Sequence, residues 1–416
     1  METDVLRTSH MVVGGAALAR DENGRVVFVE GALPGEVVAV RYRSVKKDFA
    51  TAEVVHIVEE SPHRVDPSCE AWHRGCGGCD WLHIEPTAQL AMKCEIVTEA
   101  LSRTARVADP VVVPGGSVPP WAYRTTMRAA VGSNGRLGLR SRRSHDVVTL
   151  DHCPVDHSGI NKMLRTVTVA GTDEVTLRIG VSSNEMAVWG DTGAQIAGLA
   201  KEVQVGTDTA VNEEVAGHRF RVSAGSFFQS SPQAAELLVG TVTRLLADID
   251  LRMCTVIDAY GGVGLFAATV AREALRVVLV EASASACADA RYNLRGQRAE
   301  IVERRLEAWR PVAADVVIAD PARSGLDTVA AARLAGTGAS GIILVSCDIG
   351  SLARDTRLLR ELGYVHRDTE VLDLFPNTSH IEAVTRFDRF AEAVPPVGTR
   401  SSRIVIQHPR RSVEPL

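Results

Sequence analysis

Apolar and polar positions alternate through the first sixty residues, as in Arg25-Val26-Val27-Phe28-Val29 and Glu36-Val37-Val38-Ala39-Val40. Turn residues separate these stretches at Gly14-Gly15, Asn23-Gly24 and Leu33-Pro34-Gly35. Short strands at that spacing predict a small β-barrel, closed off by Ser61-Pro62. From Glu85 to about Ala108 the period lengthens to that of a helix, with Leu90, Ile96, Val97 and Leu101 on one stripe. Residues from Trp121 to about Phe220 return to short alternating runs and predict a mostly β region. Pro232 opens a helix that runs to Leu246, and from Thr255 onward strands and helices alternate regularly. Within that half, the apolar run Gly341-Ile342-Ile343-Leu344-Val345-Ser346 predicts a buried parallel strand, and Cys347 stands at its carboxyl end. Open α/β sheets keep their chemistry at that end of their strands.

Composition narrows the setting. The chain has 416 residues, 45% hydrophobic and 23% charged, which suits two or three soluble domains with ample core. No apolar run approaches 18 residues, and no basic-then-apolar signal region opens the chain. A cytoplasmic protein with no membrane contact is therefore expected, and no obligate protein partner is evident. The formal charge of −5 excludes a surface coated in basic residues, so any nucleic acid must be held by local patches. Eight cysteines in a cytosolic chain point to metal or catalysis more than to disulfides. The tail after Val394 is rich in Pro, Ser and Arg and is expected to have little fixed structure.

The α/β half carries a nucleotide-type cofactor site. Thr255-Val256-Ile257-Asp258-Ala259 runs into the glycine-rich turn Tyr260-Gly261-Gly262-Val263-Gly264, which suits NAD, FAD, S-adenosylmethionine or plain packing. The next strand, Val277-Val278-Leu279-Val280, ends in Glu281, an acid placed to bind a ribose diol or simply solvated at a strand end. A third strand ends in Asp320-Pro321-Ala322-Arg323, where Asp320 is either a ligand group or a helix cap. In a methyltransferase-type sheet the last strand is antiparallel and begins beside the end of its neighbour, roughly 5 Å away. Ile381 to Phe387 is the candidate, which would bring Glu382 and Cys347, a base and a nucleophile, to one site.

These motifs resemble the bacterial RNA uracil-C5 methyltransferases, which make 5-methyluridine in ribosomal and transfer RNA. Gly225-Ser226-Phe227-Phe228-Gln229 is similar to that family's cofactor-gate motif, and Asp258 to Gly264 to its methionine-end loop. Asp320 to Gly325 resembles its acid-proline motif, Val345-Ser346-Cys347 with Leu352-Ala353-Arg354-Asp355 its nucleophile segment, and His380-Ile381-Glu382 its base motif. The resemblance covers nearly the whole chain to about Phe390. It implies a class I, Rossmann-like methyltransferase domain, an amino-terminal OB-like TRAM barrel that binds RNA, and a mostly β central domain. Gln229, Tyr260, Glu281 and Asp320 would hold S-adenosylmethionine, Cys347 would be the nucleophile and Glu382 the base. The implied domains are 1–60 for the barrel and 61–86 with 118–222 for the centre. Residues 87–117 with 223–393 would form the catalytic unit, and 394–416 a flexible basic tail.

Uracil C5 is too weak a nucleophile to take a methyl group directly, which is why a thiol and a carboxylate are needed. Addition of a thiolate to C6 activates C5, and a base then removes the C5 proton. The uridine must leave its stack to reach the thiol. The chain departs from the family pattern at several positions. Asp348-Ile349 stand where Asn-Pro is usual after the nucleophile, and a carboxylate there is expected to raise the thiol pKa. Gly261 replaces a common cysteine, Ala322 a second proline and Ser231 a frequent asparagine.

Cys69, Cys76, Cys79 and Cys153 supply four thiolates, suited to tetrahedral zinc or a [4Fe-4S] cluster. The resemblance favours iron–sulfur, although six residues rather than five separate the first two cysteines. Gly77-Gly78 is expected to let the chain wrap a bulky cluster. Cys94, Cys254 and Cys287 fit packing roles. Arg124, Arg128, Arg136, Arg140, Arg142 and Arg143 form the best candidate RNA face, with Arg41, Arg43, Lys46 and Lys47 of the barrel second. The tail arginines Arg400, Arg403, Arg410 and Arg411 are expected to add weak attraction. By the resemblance, barrel and cysteines together imply 23S rRNA as target, since the family's transfer-RNA branch generally lacks both. Methylation of tRNA and a catalytically altered RNA-binding or ribosome-assembly factor are the alternatives.

Overall fold

The computed structural model describes residues 4–390. The tail predicted over 394–416, with its four arginines, lies outside the described residues.

Five strands, Asp4–Met11, Ala17–Arg20, Val26–Glu30, Val37–Val45 and Phe49–Glu59, close into the expected barrel. Alternation sets its interior: Val27, Val29, Val38, Val40, Ala50 and Ala52 are fully buried, while their neighbours face out. The barrel docks tightly on the rest of the chain. The indole N–H of Trp81 donates to the Gly15 carbonyl at 3.2 Å. Gly15 has φ +84°, and a β-carbon there would stand 2.7 Å from Cβ of Ser379, so only glycine fits the joint.

The carboxyl half is an eight-stranded sheet in the order Ala299–Glu303, Arg276–Glu281, Thr255–Ala259, Val316–Ala319, Gly341–Ser346, Glu382–Arg389, Tyr364–Asp373 and Val112–Ser117. The first five run parallel and Glu382–Arg389 runs antiparallel to Gly341–Ser346, as expected for a Rossmann-like methyltransferase sheet. Strand residues alternate between two cores. Val256, Ile318, Ile343 and Val345 pack with the helix Pro232–Leu245 and the central region. Ile257, Val317, Ile342 and Leu344 pack on the other face with the helices Pro86–Glu99 and Ile349–Glu361. The edge strand Val112–Ser117 escaped the pattern because none of its residues is buried.

The central region holds a six-stranded sheet and a hairpin, Ala210–Val215 with His218–Ser223. It also contains the helix Ser158–Thr166, which the mostly β reading missed; Ile160, Met163 and Leu164 are its buried stripe and His157 caps it. Among the described residues no helix is long and apolar enough to cross a membrane.

Candidate functional site

Strand order reverses between Thr255–Ala259 and Val316–Ala319, and the candidate residues gather at the carboxyl ends of these strands and their neighbours. Ser346 pairs with Ala383, and Leu372 with Glu382, so Glu382 opens its strand beside Cys347. The glutamate is 5% exposed. Burial, reinforced by Asp320, pushes its carboxyl well above the ordinary range, with Arg323 opposing. Burial also raises the Cys347 thiol to about 11, with Glu382 and Asp320 adding to the rise and Arg323 again opposing.

Asp348 does not act on the thiol in the way the sequence suggested. Its carboxylate caps the helix Ile349–Glu361, accepting the Ser351 N–H at 2.7 Å. The acids that press on Cys347 come from neighbouring strands instead. The same helix fixes the acid-proline loop: Asp355, fully buried, accepts the Leu326 N–H at 2.8 Å, and Ser351 Oγ donates to the Arg323 carbonyl at 2.8 Å. Nucleophile helix and acid-bearing loop are thereby one rigid piece.

The four candidate cofactor residues are brought together. Gln229 Nε2 lies 3.4 Å from Asp320 Oδ2. The segment leading to Gln229 is anchored by buried Asp289, which accepts Ser226 Oγ at 2.6 Å and the Ser223 N–H at 2.8 Å. Ser231, the departure from asparagine, caps Pro232–Leu245 through the Ala234 N–H at 3.1 Å. Glu281 accepts the Gly262 N–H at 3.0 Å and the Ser283 N–H at 2.7 Å, which ties the glycine turn to the next strand. Tyr260 holds φ +59° at the turn, and burial raises its phenol. Gly261 is explained by packing: a β-carbon there would meet Leu279 Cγ at 2.5 Å, so this chain has no room for a side chain.

One group was missed. Asp258 is 1% exposed, with one oxygen on the Ala267 N–H at 2.9 Å and the other without a partner. Burial raises it to about 7, with Asp320 and Glu281 adding to the rise; Asp320 is likewise raised to about 7 by burial. A lone acid in the apolar run 255–259 was the available signal. Buried Asp258 and Glu382, with the partly exposed Asp320, thus form an acidic group that makes no salt bridge among the described residues. Such a pocket repels the phosphates of NAD or FAD and suits a cationic ligand.

Cys69, Cys76, Cys79 and Cys153 line one enclosed cavity with Trp72, Leu139 and Arg124. Burial raises Cys76 and Cys153, and takes Cys79 to about 12, so without a cation these are neutral thiols. Among the described residues no three His, Cys, Asp or Glu side chains converge on a single-ion centre. Four thiols around one cavity are a donor set suited to either zinc or an iron–sulfur group. At Gly77 and Gly78 β-carbons would strike the Arg140 carbonyl at 2.8 Å and Leu139 Cδ1 at 2.6 Å, so the strand Leu137–Arg140 already demands glycine there. Cys254 and Cys287 are buried and Cys94 partly so.

Most arginines of the predicted RNA face are ion-paired within the chain, although Arg128, Arg136 and Arg143 stay 78%, 39% and 48% exposed. Arg124 pairs with Asp156 and approaches Cys153 Sγ at 3.5 Å; Arg128 pairs with Glu174, Arg136 with Asp151 and Arg143 with Glu30. Arg142 stacks over Trp72 at 4.3 Å, leaving Arg140 as the one with only a weak backbone contact. Arg41 and Arg43 of the barrel share Glu53. Sequence shows the cations but not the acids folded against them.

Residues 5–55 match the TRAM domain family. The chain is 32% identical to an uncharacterized RNA methyltransferase of Streptomyces avermitilis, across 92% of this chain and 97% of that protein. It is 30% identical to one of Gloeobacter violaceus, across 93% and 97%. In fold it is similar to the Pyrococcus abyssi tRNA (uracil-54, C5)-methyltransferase crystallised with S-adenosyl-L-homocysteine, with TM-score 0.69 and 22% identity. That match covers 92% of this chain and 99% of the other.

Proposed function

Because the chain belongs to the RNA methyltransferases, we propose that it methylates C5 of a uridine in RNA, with S-adenosylmethionine as donor and 23S rRNA as target. The observation that carries this reading is the start of strand Glu382–Arg389 beside Cys347, which sets a buried carboxylate against a thiol among neighbouring acids. Gln229, Tyr260, Glu281 and Asp320 would hold the donor, with Glu281 toward the ribose and Asp320 toward the methionine side. What the donor supplies is an electrophilic methyl group on a positively charged sulfur. That charge answers the excess of buried acid and favours ionisation of Asp320, Glu382 and the thiol.

The chain's own groups do the rest. As thiolate, Cys347 adds to uracil C6, and the C5–C6 electron pair moves into the C4 carbonyl. The activated C5 then takes the methyl group. Glu382 removes the C5 proton, the C5–C6 double bond re-forms, and the thiolate is expelled. Arg323 lies close enough to oppose the acid field on both Cys347 and Glu382, which makes it the cation that moderates this group of acids.

Incubation with 5-fluorouridine RNA and donor tests this directly, since fluorine cannot leave C5 as a proton does. A covalent protein–RNA adduct is expected for the wild type and none for Cys347→Ala. A wild type that forms no adduct and transfers no methyl group would instead be an RNA-binding or assembly factor. Mapping 5-methyluridine in 23S rRNA and tRNA from a deletion strain identifies the target; loss from tRNA alone would overturn the ribosomal assignment.

We further propose that Cys69, Cys76, Cys79 and Cys153 hold a [4Fe-4S] cluster that braces the central region. The methylation scheme contains no redox step for it. Anaerobically purified protein is expected to carry iron and sulfide and to absorb near roughly 400 nm. Stoichiometric zinc without sulfide would sink this assignment.

A further inference from the structure

Four of the arginines predicted to meet RNA pair with acids of this chain, whereas three others elsewhere on the surface pair with none. Among the described residues Arg272, Arg295 and Arg298 make no salt bridge, and all three line one surface cleft of about 510 Å³. Glu273 is the one acid along its wall, so the cleft carries a formal excess of two positive charges. The cleft lies at the amino-terminal ends of the strands Arg276–Glu281 and Ala299–Glu303, on the far side of the sheet edge from the pocket.

Its donors are held in place rather than left loose. Arg272 Nη1 stands 3.0 Å from His218 Nε2, and burial, then Arg272 itself, lowers the histidine, so the neutral ring accepts from the guanidinium. Arg295 is laid over the Tyr292 ring at 4.2 Å. Each keeps further N–H groups free for an anion. Gln297 lines the same cleft with a buried side-chain oxygen that lacks a partner. The favourable dipole at the end of the helix Ala284–Asn293 accounts for Arg295 alone, and not for Arg272 or Arg298.

We propose that His218, Arg272, Arg295, Gln297 and Arg298 form a second RNA contact that binds the sugar-phosphate backbone of a folded substrate. Cleft and pocket sit at opposite ends of strand Arg276–Glu281, about 17 Å apart at ~3.3 Å per residue. A strand of one or two nucleotides seated at the methylation site does not reach the cleft, so the contact is one made by a longer or folded RNA whose second strand or helix reaches the back of the cofactor half. This rests on the reading that the substrate is RNA, but not on which base is methylated or where.

The test is equilibrium binding of the full chain to a folded rRNA fragment and to a short uridine-containing single strand, over a range of salt. The triple variant Arg272→Ala/Arg295→Ala/Arg298→Ala is expected to bind the folded RNA about tenfold more weakly at low salt. Its log–log salt slope should shrink by about 2, as for two to three lost phosphate contacts. Affinity for the short strand should not change. The corresponding triple lysine variant keeps the charge and should keep most of the slope, which separates the effect from misfolding. Unchanged binding of folded RNA, or equal losses on both RNAs, would overturn the proposal. So would calorimetric binding of inorganic phosphate to the wild type that vanishes in the triple variant without any change in RNA affinity. Failure of methylation with normal cleft-dependent binding would instead count against the proposed reaction alone.

Discussion

Asp373 and Glu382 are carboxylates at the two ends of one connecting segment, 1% and 5% exposed, and the fold treats them oppositely. Asp373 meets Lys93, itself fully buried, at 2.7 Å and also accepts the Phe375 N–H. Glu382 has no such cation in contact, and its nearest charged influences are another acid, Asp320, and the more exposed Arg323. Burying an unpaired carboxyl is costly, so proteins ordinarily pair or solvate it. The paired acid fastens the helix Pro86–Glu99 to the segment that leads to the pocket. The unpaired ones remain available to a ligand that brings its own positive charge. Counter-ions therefore mark structure here, and their absence marks chemistry.

That contrast can be broken from either side. The largest effect is expected from Glu382→Gln, which removes the base but keeps the shape. Multiple turnover with labelled donor should fall about 10²- to 10⁴-fold, the range of general-base catalysis, while a methylated protein–RNA adduct accumulates. Normal turnover would remove Glu382 from the scheme. On the paired side, Asp373→Ala strands Lys93 as a buried cation and should cost about 3 kcal/mol or more in denaturant unfolding. Lys93→Met/Asp373→Leu should recover most of that loss, and failure to recover would show that the pair does more than neutralise itself.

A smaller, pH-dependent effect is expected from Asp320→Asn. The folded protein holds the Asp320 proton to about 7, against 3.8 ordinarily, so it binds that proton more tightly than the unfolded chain does. Its contribution is fully present below pH ~4 and is lost as pH rises to about 7. Asp320→Asn should therefore raise the unfolding midpoint of ligand-free protein above pH 7, with a remaining slope from Asp258. Donor affinity should tighten between pH 6 and 8 in the wild type and lose much of that dependence in the variant, by calorimetry. A wild-type affinity that is flat with pH would mean Asp320 does not answer the donor's charge.

The cofactor half was legible because its signals are local. Cys347, Asp320 and Glu281 each end an apolar run, and strand polarity alone brought Glu382 to the thiol. Long-range pairing was not legible. Nothing around Lys93 names Asp373 as its partner, 280 residues away, and nothing around Arg143 names Glu30. The arginine run looked like a nucleic-acid face because its acids come from other strands, while Arg272, Arg295 and Arg298 are scattered among ordinary charges. The helix Ser158–Thr166 is only nine residues long and lies between strands, so its stripe was lost in a β pattern.

The joint at Gly15 turns the barrel into one jaw of a caliper. Trp81 grips Gly15 on one side and, through its backbone N–H, the Asn377 carbonyl at 3.0 Å on the other, a few residues before Glu382. An RNA held by the barrel is thereby presented to the pocket at a set spacing, and selection falls on the distance between two features as much as on either one. Lengthening the RNA by a nucleotide between them would move the base to be methylated out of the jaws without changing any contact.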